Sequence, residues 1–531
     1  MFSRRTLLGS VAALLFLGSA ARAATGPTSA QVKATMARAT RFMTDKVAVH
    51  GGYVWSYLPD FSRRWGEMEA YPSMIWTQAP GTPEMGQIFL DAYHATGDEA
   101  YYKAAQQSAD ALIAGQHPTG GWNYIIDFAG EASLKRWYET IGANGWRLEE
   151  FQHYYGNATF DDHVTVECGR FLLRLHLEKG DPKYRVAVDK AVDFVLKSQY
   201  PNGGWPQRWP RMGQFTKQGR PDYTDFITLN DEVAEENIDF LLLVLQQLKD
   251  ERVREPVKRG MELIIALQQP QPTPGWAMQY SLDLKPATGR TYEPVSITPH
   301  GTAAAVMQLI AYYQQTGERR YLARIPEALD WLASVEIPAD KRGPDGRNFY
   351  RNYDPATGKL LGGHRSGSNS QNGKFWADFN TEGTKAEKHI NVSSLRARYE
   401  RVAAMSPEEA TRNSTLMGRG PSLLPPYVVS HVGGSDLKVT VGEGKRLAAA
   451  AELVSSLNAE GYWPVELRTT SHPYRGPGPD KPPAGFIDVG QVGDAWDTSP
   501  FTLPSGPMGI STGAYINNMA RLITYLRTQT A

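Results

Sequence analysis

A short motif with glycine and tryptophan recurs along this chain. It reads Gln-x-x-x-Gly-x-Trp at residues 116–122 and again at 199–205, each time directly after an amphipathic helical stretch. Looser copies lie at 51–53, 275–276 and 461–463. Self-similarity of this kind indicates one structural unit that is copied and stacked. We therefore expect a repeat protein in which a Gly/Trp-rich loop joins two helices.

Helical periodicity fills the intervals between the copies. Apolar residues recur every three or four positions in 83–115, 161–198, 231–269 and 300–334. A turn, such as the one around Gly97 or Gly180, divides each interval into a helical hairpin. Capping residues open every hairpin, so the helix starts point to one end of the assembly, where backbone N–H groups and loops favour a functional site. The prediction is an all-α fold of repeated helical hairpins.

The charge balance argues against some classes of partner. The 56 basic and 56 acidic residues cancel, so no overall field favours nucleic acid or an anionic membrane. The 13 Trp and 26 Tyr residues suit stacking on sugar rings, although aromatic packing between helices explains them equally well. The single cysteine, Cys168, cannot form an intramolecular disulfide, and we assign it no catalytic role. We expect the chain to act as a monomer.

The N-terminus resembles an export signal. Arg4 and Arg5 precede an apolar run to Ala20, and a small-x-small site follows at residues 21–23. The apolar run is short for a membrane span. We predict a twin-Arg-like signal peptide at residues 1–23 and a periplasmic or secreted protein that is not held in a membrane after cleavage.

The character of the sequence changes after Pro338. Residues 341–385 are rich in Gly, Asn, Ser, Lys and Arg, and they include Arg347, Arg351 and Arg365. So long a stretch without helical period is either a functional loop or disorder. A helix is predicted at 441–458, a Pro/Gly-rich excursion at 466–508 and a closing helix at 511–528.

Acidic pairs open two of the hairpins. Asp161-Asp162 precedes one helix and Asn230-Asp231 precedes the equivalent helix of the next hairpin. These residues are ordinary helix caps in many proteins. Because they stand at equivalent places in successive repeats, however, they converge in space, and their oxygens suit a hard cation such as calcium.

Cationic residues stand in the loops at the same end. They are Arg208, Lys285, Arg290, Arg347 and Arg365. Guanidinium groups match carboxylates with two parallel hydrogen bonds, so an acidic polysaccharide fits this pattern. The alternative is that each is a solvated surface charge.

Several segments, in the same order, resemble polysaccharide lyase family 10, the pectate lyases. They are Gly120-Gly121-Trp122, Ala158 to Asp162, Gln199 to Gln207, Ile227 to Asp231, Trp276 to Tyr280 and Gly289 to Ser296. Residues 51–85 are similar to the N-terminal part of longer relatives. The resemblance implies an α/α-toroid, that is, an incomplete α/α-barrel with a groove built from loops. It predicts an N-terminal helical repeat at 24–115, a catalytic core at 116–365 and a loop-rich C-terminal extension with closing helices at 366–531.

The resemblance also implies an activity, which is cleavage of polygalacturonate by calcium-assisted β-elimination to 4,5-unsaturated products. It implies that Asp161, Asp162 and Asp231 lie near calcium and that Arg290 binds the substrate carboxylate. Arg365 corresponds to the family's arginine base, and we group it with Arg290 and Asp161 as catalytic. Predicted substrate contacts are Arg347, Arg208, Trp205, Tyr280 and Asn230.

Other functions remain open at this stage. Gln279-Tyr280 stands where the family has Gln-His, and Arg365-Ser366 stands where it has Arg-Asp, so a different uronate polymer is one alternative. An inverting glycoside hydrolase could use Asp161 and Asp231 as its two carboxylates. A non-catalytic carbohydrate-binding protein and a triterpene cyclase on a related toroid are the remaining alternatives.

Overall fold

A computed structural model describes residues 26–144, 149–212, 221–366, 374–428, 446–467 and 508–530. The helices confirm the predicted hairpins. They are α1 Ser29–Phe42, α2 Thr82–Thr96, α3 Glu99–Ala114, α4 Glu131–Glu139, α5 Val164–Lys179, α6 Pro182–Ser198, α7 Val233–Leu248, α8 Arg254–Ala266, α9 Pro299–Thr316, α10 Ile325–Val335, α11 Val392–Ala403, α12 Pro407–Ala410, α13 Arg446–Ser456 and α14 Thr512–Thr530.

The helices form the expected α/α-toroid. In each unit an outer helix leads through a Gly-containing loop to an inner helix, and the units follow one another as α13/α14, α1/α2, α3/α5, α6/α7 and α8/α9. The inner helices α14, α2, α5 and α7 pack side by side in that order. In the ring, the C-terminal unit α13/α14 therefore precedes the N-terminal unit α1/α2. The fold is all-α apart from short strands at the loop end.

Those strands are β1 Ser56–Tyr57, β2 Arg64–Trp65, β3 Met74–Trp76, β4 Ile125–Asp127, β5 Ala158–Thr159, β6 Arg208–Trp209, β7 Ile227–Thr228, β8 Gln279–Tyr280, β9 Asn352–Tyr353, β10 Leu360–Ser366, β11 Lys374–Asp378, β12 Val465–Glu466 and β13 Met508–Ser511. The antiparallel pairs β3–β4, β5–β6 and β7–β8 each join the loop of one unit to the loop of the next. Another sheet, in the order β12-β13-β1-β2, joins the C-terminal and N-terminal units. These ladders fix the loops that carry the acidic pairs.

The tryptophans of the repeated motif anchor each loop to its own outer helix. The indole Nε1 of Trp205 donates to the carbonyl of Val195 at 2.9 Å. Trp122 donates to Leu112 in the same way at 2.8 Å. Both side chains are fully buried. The motif therefore has a packing role, because a buried indole needs a hydrogen-bond acceptor.

The glutamine and glycine of the motif join neighbouring units. Gln199 Nε2 donates to the carbonyl of Gly203 at 3.0 Å and to that of Pro256, in the next outer helix, at 2.9 Å. Gly203 has a φ of 97°, and a Cβ there would lie 2.3 Å from the carbonyl oxygen of Arg259. Only glycine fits a left-handed backbone this close to another chain segment.

The far end of the toroid is crossed by residues 421–428. Arg174 in α5 donates to Asp91 in α2 at 2.5 Å and to the carbonyl of Pro426 at 2.8 Å. The Val428 amide donates to the same aspartate at 3.1 Å. This buried network ties two inner helices to the C-terminal region, at the end opposite the helix starts.

One hairpin turn departs from the glycine rule and yields a stability prediction. Gly97, Gly180 and Gly317 end their helices with φ near 72°, whereas Lys249 ends α7 with a φ of 56°. A side chain in this left-handed conformation costs about 1 kcal/mol relative to glycine. We expect Lys249→Gly to raise the free energy of unfolding by about 1 kcal/mol, measured by chemical denaturation. Lys249→Ala, which keeps a Cβ, is the control, and an equal gain in both variants would contradict the explanation.

Candidate functional site

A cleft of about 530 Å³ opens where the inner helices begin. Its acidic side is lined by Glu67, Glu150, Asp162, Asp231 and Glu232. Arg290, Glu293, Arg351, Lys388 and His300 also line it. Met278, Ala305 and Gln308 are among the remaining lining residues. The cleft therefore holds both signs of charge.

The acidic pairs are held in an uncommon backbone conformation. Asp162 and His163 before α5 have φ values of 47° and 64°, and Asp231 and Glu232 before α7 have values of 50° and 55°. Non-glycine residues rarely adopt positive φ, and such strain persists only where surrounding structure imposes it. The repetition of this turn confirms that the two helix starts are structurally equivalent.

Arg290 is the centre of a buried charge cluster. Its Nε donates to Glu150 at 2.9 Å, and one terminal nitrogen donates to Asp161 at 3.0 Å. The other terminal nitrogen lies 3.8 Å from Asp231 and 3.7 Å from Glu293. The Arg290 side chain is 7% exposed. One guanidinium therefore faces four carboxyl groups, so the cluster carries more acid than base.

Because of this excess of acid, one carboxyl group has a lowered pKa and the others have raised pKa values. Burial alone would raise the pKa of Asp161, but the Arg290 charge and a hydrogen bond from Tyr124 lower it below its usual value. The pKa values of Asp162 and Asp231 are raised well above the usual range, first by burial and then by the charge of Asp161. Burial also raises the pKa of Glu150 to about 7, although Arg290 opposes the rise.

The carboxyl groups with raised pKa values are the ones that could hold a cation. Gln78 donates from one amide nitrogen to Asp162 at 2.6 Å and to Glu67 at 2.9 Å, which places these two carboxylates side by side. Asp231 lines the same cleft. Crowded carboxylate oxygens whose ionisation is disfavoured suit a hard divalent cation, because the ion supplies the missing positive charge.

A second group of possible ligands is already neutralised. His163, Glu167 and Glu236 bring ligand atoms within 4.8 Å of one another. However, Arg170 contacts Glu167 at 2.6 Å and Glu236 at 2.5 Å. The guanidinium supplies the charge that a metal ion would supply, so we interpret this group as an ion-pair network.

The cationic wall comes from outside the acidic turns. Arg351 donates to Glu293 at 3.0 Å and lies 3.7 Å from Glu387. Lys388 is half-buried, and its backbone accepts from the Asn348 and Phe349 amides. His300 is the second residue of α9. Lys388 belongs to the region that the sequence assigned to a C-terminal extension, yet it reaches the cleft.

Among the predicted site residues, the structure brings Asp161, Asp162, Asn230, Asp231 and Arg290 together. Asn230 lines the cleft and its amide donates to the Asp231 carboxylate. These residues come from two successive repeats and from the loop before α9.

The structure places other predicted residues away from the cleft. Trp205 and Tyr280 are fully buried in the core, where Tyr280 donates to the carbonyl of Leu267 at 3.0 Å. Arg208 is also buried, with its guanidinium 5.0 Å from the ring centre of Tyr124. None of the three lines the cleft, so their side chains contribute to packing there.

Arg347 and Arg365 have different positions. Arg347 is exposed and lies 3.4 Å from Asp345. Arg365 lies in β10 with its backbone opposite Phe375 in β11, while its side chain is outside the described part of the structure. The predicted signal peptide and most of the 466–508 excursion also lie outside the described residues.

Several residues of the cleft were not predicted from the sequence. Arg351 was noted only as part of a polar stretch, and Glu67, Glu150 and Lys388 carry no motif. His300 had a usable signal. It stands two residues before Thr302, as His163 stands two before Thr165, and each threonine hydroxyl accepts from a motif tryptophan amide at 3.1 Å. Aligning the repeats by these threonines would have placed His300 at the end of the toroid where the inner helices begin.

The buried carboxyls predict a pH dependence of stability. Burial raises the pKa of Glu84 to about 8 and that of Glu235 to about 7, in addition to Glu150 at about 7. Their folded pKa values exceed the unfolded ones, so their stabilising contribution is lost as pH rises through the folded values. We expect the free energy of unfolding of metal-free protein to fall between about pH 5 and pH 8, by about 1.4 kcal/mol per pH unit for each proton that the folded state holds and the unfolded state has lost.

Denaturation at several pH values in a chelating buffer would measure this slope. Glu235→Gln should reduce it, while Glu255→Gln, at an exposed surface pair, should not. A stability that is constant or rises over this range would contradict the assignment.

Within the described residues, no helix has both the length and the apolar character required to cross a bilayer.

No curated protein matches the sequence. Among solved structures, the family 10 polysaccharide lyase from Cellvibrio cellulosa is 19% identical, with 60% of this chain and 98% of that chain covered and a TM-score of 0.40. The same values apply to its D189A mutant, which was solved with trigalacturonic acid.

A D-mannose isomerase is 11% identical, with 94% of this chain and 98% of that chain covered and a TM-score of 0.38. An α-1,6-mannanase of Salegentibacter sp. HEL1_6 is 12% identical, with 95% and 100% covered and a TM-score of 0.35.

The sequence model of the pectic acid lyase family matches residues 135–342. This range includes both acidic turns and Arg290, and it ends before Arg351 and Lys388. Over residues 135–342 the chain is thus similar to the pectic acid lyases, which confirms the resemblance identified in the sequence and supports its assignment as a polysaccharide lyase.

Proposed function

We propose that the protein cleaves a polyuronate, with polygalacturonate as the first candidate, by calcium-assisted β-elimination to 4,5-unsaturated products. One observation carries the proposal. The cleft combines a carboxyl cluster that carries more acid than base with two further cations, Arg351 and Lys388, in its wall. An acidic sugar chain complements the wall, and a divalent cation complements the cluster.

The cationic wall supports an anionic substrate. Arg351 is paired with Glu293 at 3.0 Å and retains further hydrogen-bond donors. Lys388 lines the cleft, and no ion pair of its ammonium occurs among the described residues. A uronate carboxylate placed here would accept charge-assisted hydrogen bonds, which are stronger than those between neutral groups.

The acidic side supports calcium. Asp162, Asp231 and Glu67 would hold the ion, since all three are oxygen donors on the same cleft. When bound, calcium would neutralise the uronate carboxylate and so acidify the proton on C5. Arg290 holds Glu150 and Asp161 in place beneath this site. We therefore propose that Asp161 and Arg290 keep the cluster in the geometry that both ion and substrate require.

Proton removal from C5 needs a base. The family resemblance assigns this role to Arg365. We keep Arg365 as one candidate for the base, and its variant is to be compared with a variant of a residue that lines the cleft. We also propose that the protein works in the periplasm or outside the cell, in keeping with the signal peptide predicted at residues 1–23.

The direct test is the ultraviolet absorbance of unsaturated uronate ends. The mature protein would be mixed with polygalacturonate, alginate or glucuronan, with added calcium or with a chelator. We expect a calcium-dependent rise on one of the three. Saturated products would support an inverting hydrolase instead, and binding without any product would support a carbohydrate-binding protein.

A further inference from the structure

We infer that His300 is the residue that takes the C5 proton in this cleft, an inference that rests on the proposed function. His300 lines the cleft together with Arg351, Lys388 and Asp231. It enters from the start of α9, directly after the capping residue Thr298. As the second residue of α9, it lies at the end of the toroid where the inner helices begin.

The two ring nitrogens of His300 have different surroundings. Nδ1 is buried and has no hydrogen-bond partner among the described residues. Nε2 is not one of these buried atoms and makes no hydrogen bond to a described residue, so it is the nitrogen that faces the cleft. With the hydrogen on Nδ1, the lone pair of Nε2 points to the space where a sugar would lie.

The surroundings keep the imidazole neutral before substrate binds. Burial first, and then the charges of Lys388 and Arg351, together lower the pKa of His300 to about 3. The positive end of the α9 dipole has the same effect. A neutral imidazole has a lone pair to offer, whereas a guanidinium is protonated near neutral pH and has none.

Substrate binding changes this balance. A uronate carboxylate between Arg351 and Lys388 would offset the two charges that oppose protonation of His300. The imidazole would become a stronger base only when an acidic sugar is in place. Proton removal would then be coupled to recognition of the carboxylate.

The proposed step balances in atoms and electrons. The C5–H bond breaks and its proton goes to Nε2 of His300. The electron pair forms the C4=C5 double bond, and the C4–O bond breaks. The departing glycosidic oxygen takes a proton from water, and the imidazolium returns its proton to the resulting hydroxide.

The test compares His300→Gln and His300→Ala with the wild-type protein in the unsaturated-product assay. We expect kcat to fall about 100- to 10,000-fold, while the affinity for a saturated oligouronate changes less than about threefold, because the carboxylate contacts remain. Added imidazole should restore part of the rate in His300→Ala. His389→Gln, an exposed residue next to Lys388, is the matched control and should keep the wild-type rate.

Arg365→Ala would be measured in parallel. A wild-type rate in His300→Gln, with a large loss in Arg365→Ala, would overturn the role of His300 and leave the lyase assignment intact. An inactive wild-type protein on all three polymers would instead overturn the proposed function and this inference with it.

A second measurement does not depend on turnover. The imidazole NMR signal of His300, assigned by its loss in His300→Gln, should shift when a saturated oligouronate binds. Binding without such a shift would overturn the contact on which the step depends.

Discussion

Replacing Arg290 with methionine is expected to destabilise the protein by about 3–5 kcal/mol and to abolish lyase activity. The substitution removes the guanidinium that contacts Glu150 at 2.9 Å and Asp161 at 3.0 Å. Both carboxyls are buried, so their charges would lose their cationic partner in a region of low polarity, while Asp161 would keep the hydrogen bond from Tyr124. Chemical denaturation and the unsaturated-product assay would measure the two losses.

A second substitution separates stability from activity. Combining Arg290→Met with Glu150→Gln removes one unpaired charge, so we expect part of the stability to return while activity stays absent. Arg185→Met, at a surface ion pair with Asp189, is the control and should change stability by less than about 0.5 kcal/mol. A stable and active Arg290→Met variant would show that the buried cluster does not hold the site together.

Removing the carboxylates of Asp162 and Asp231 is expected to have the second largest effect. In Asp162→Asn/Asp231→Asn, activity in calcium should fall at least about 100-fold, because two candidate ligands of the ion are lost. The thermal stabilisation by calcium, which reaches about 2.7 kcal/mol at a concentration 100 times the Kd, should disappear. Thermal denaturation with and without calcium would test both statements.

Without calcium, the same two substitutions should not destabilise the protein. Burial raises the pKa of Asp162 and of Asp231, so ionising them opposes folding. Neutral amides of similar shape remove that opposition, and the double variant should be at least as stable as the wild type in chelator. Asp283→Asn, at an exposed pair with Lys285, is the control. A calcium response that survives in the double variant would place the cation elsewhere.

The repeat explains why the helices could be predicted so well. Each hairpin combines a helical period, a capping residue and a turn that is local in sequence, as at Asp98 and Asp181, whose side chains cap α3 and α6. Local signals of this kind need no knowledge of the rest of the chain. The acidic turns were found for the same reason, because their equivalence is visible in the repeat.

The aromatic residues show where such reasoning ends. Trp205 belongs to the most prominent motif, and its place in the core became clear only from the hydrogen bond between its indole and Val195. A tryptophan beside glycines has the same sequence pattern whether it stacks on a sugar or joins a loop to a helix. Burial, which depends on neighbouring units, distinguishes the two.

By itself, the sequence determined the helical hairpins, their common direction and the two acidic turns, since these follow from periodicity, capping and repetition within short stretches. Tertiary structure alone decided which charges meet. Arg290 contacts Glu150 across 140 positions of sequence, and Lys388 lines the same cleft as Glu67. Closing a ring of repeats brings distant loops to one end, and the pKa values and pairings there depend on distances between segments that no local pattern records.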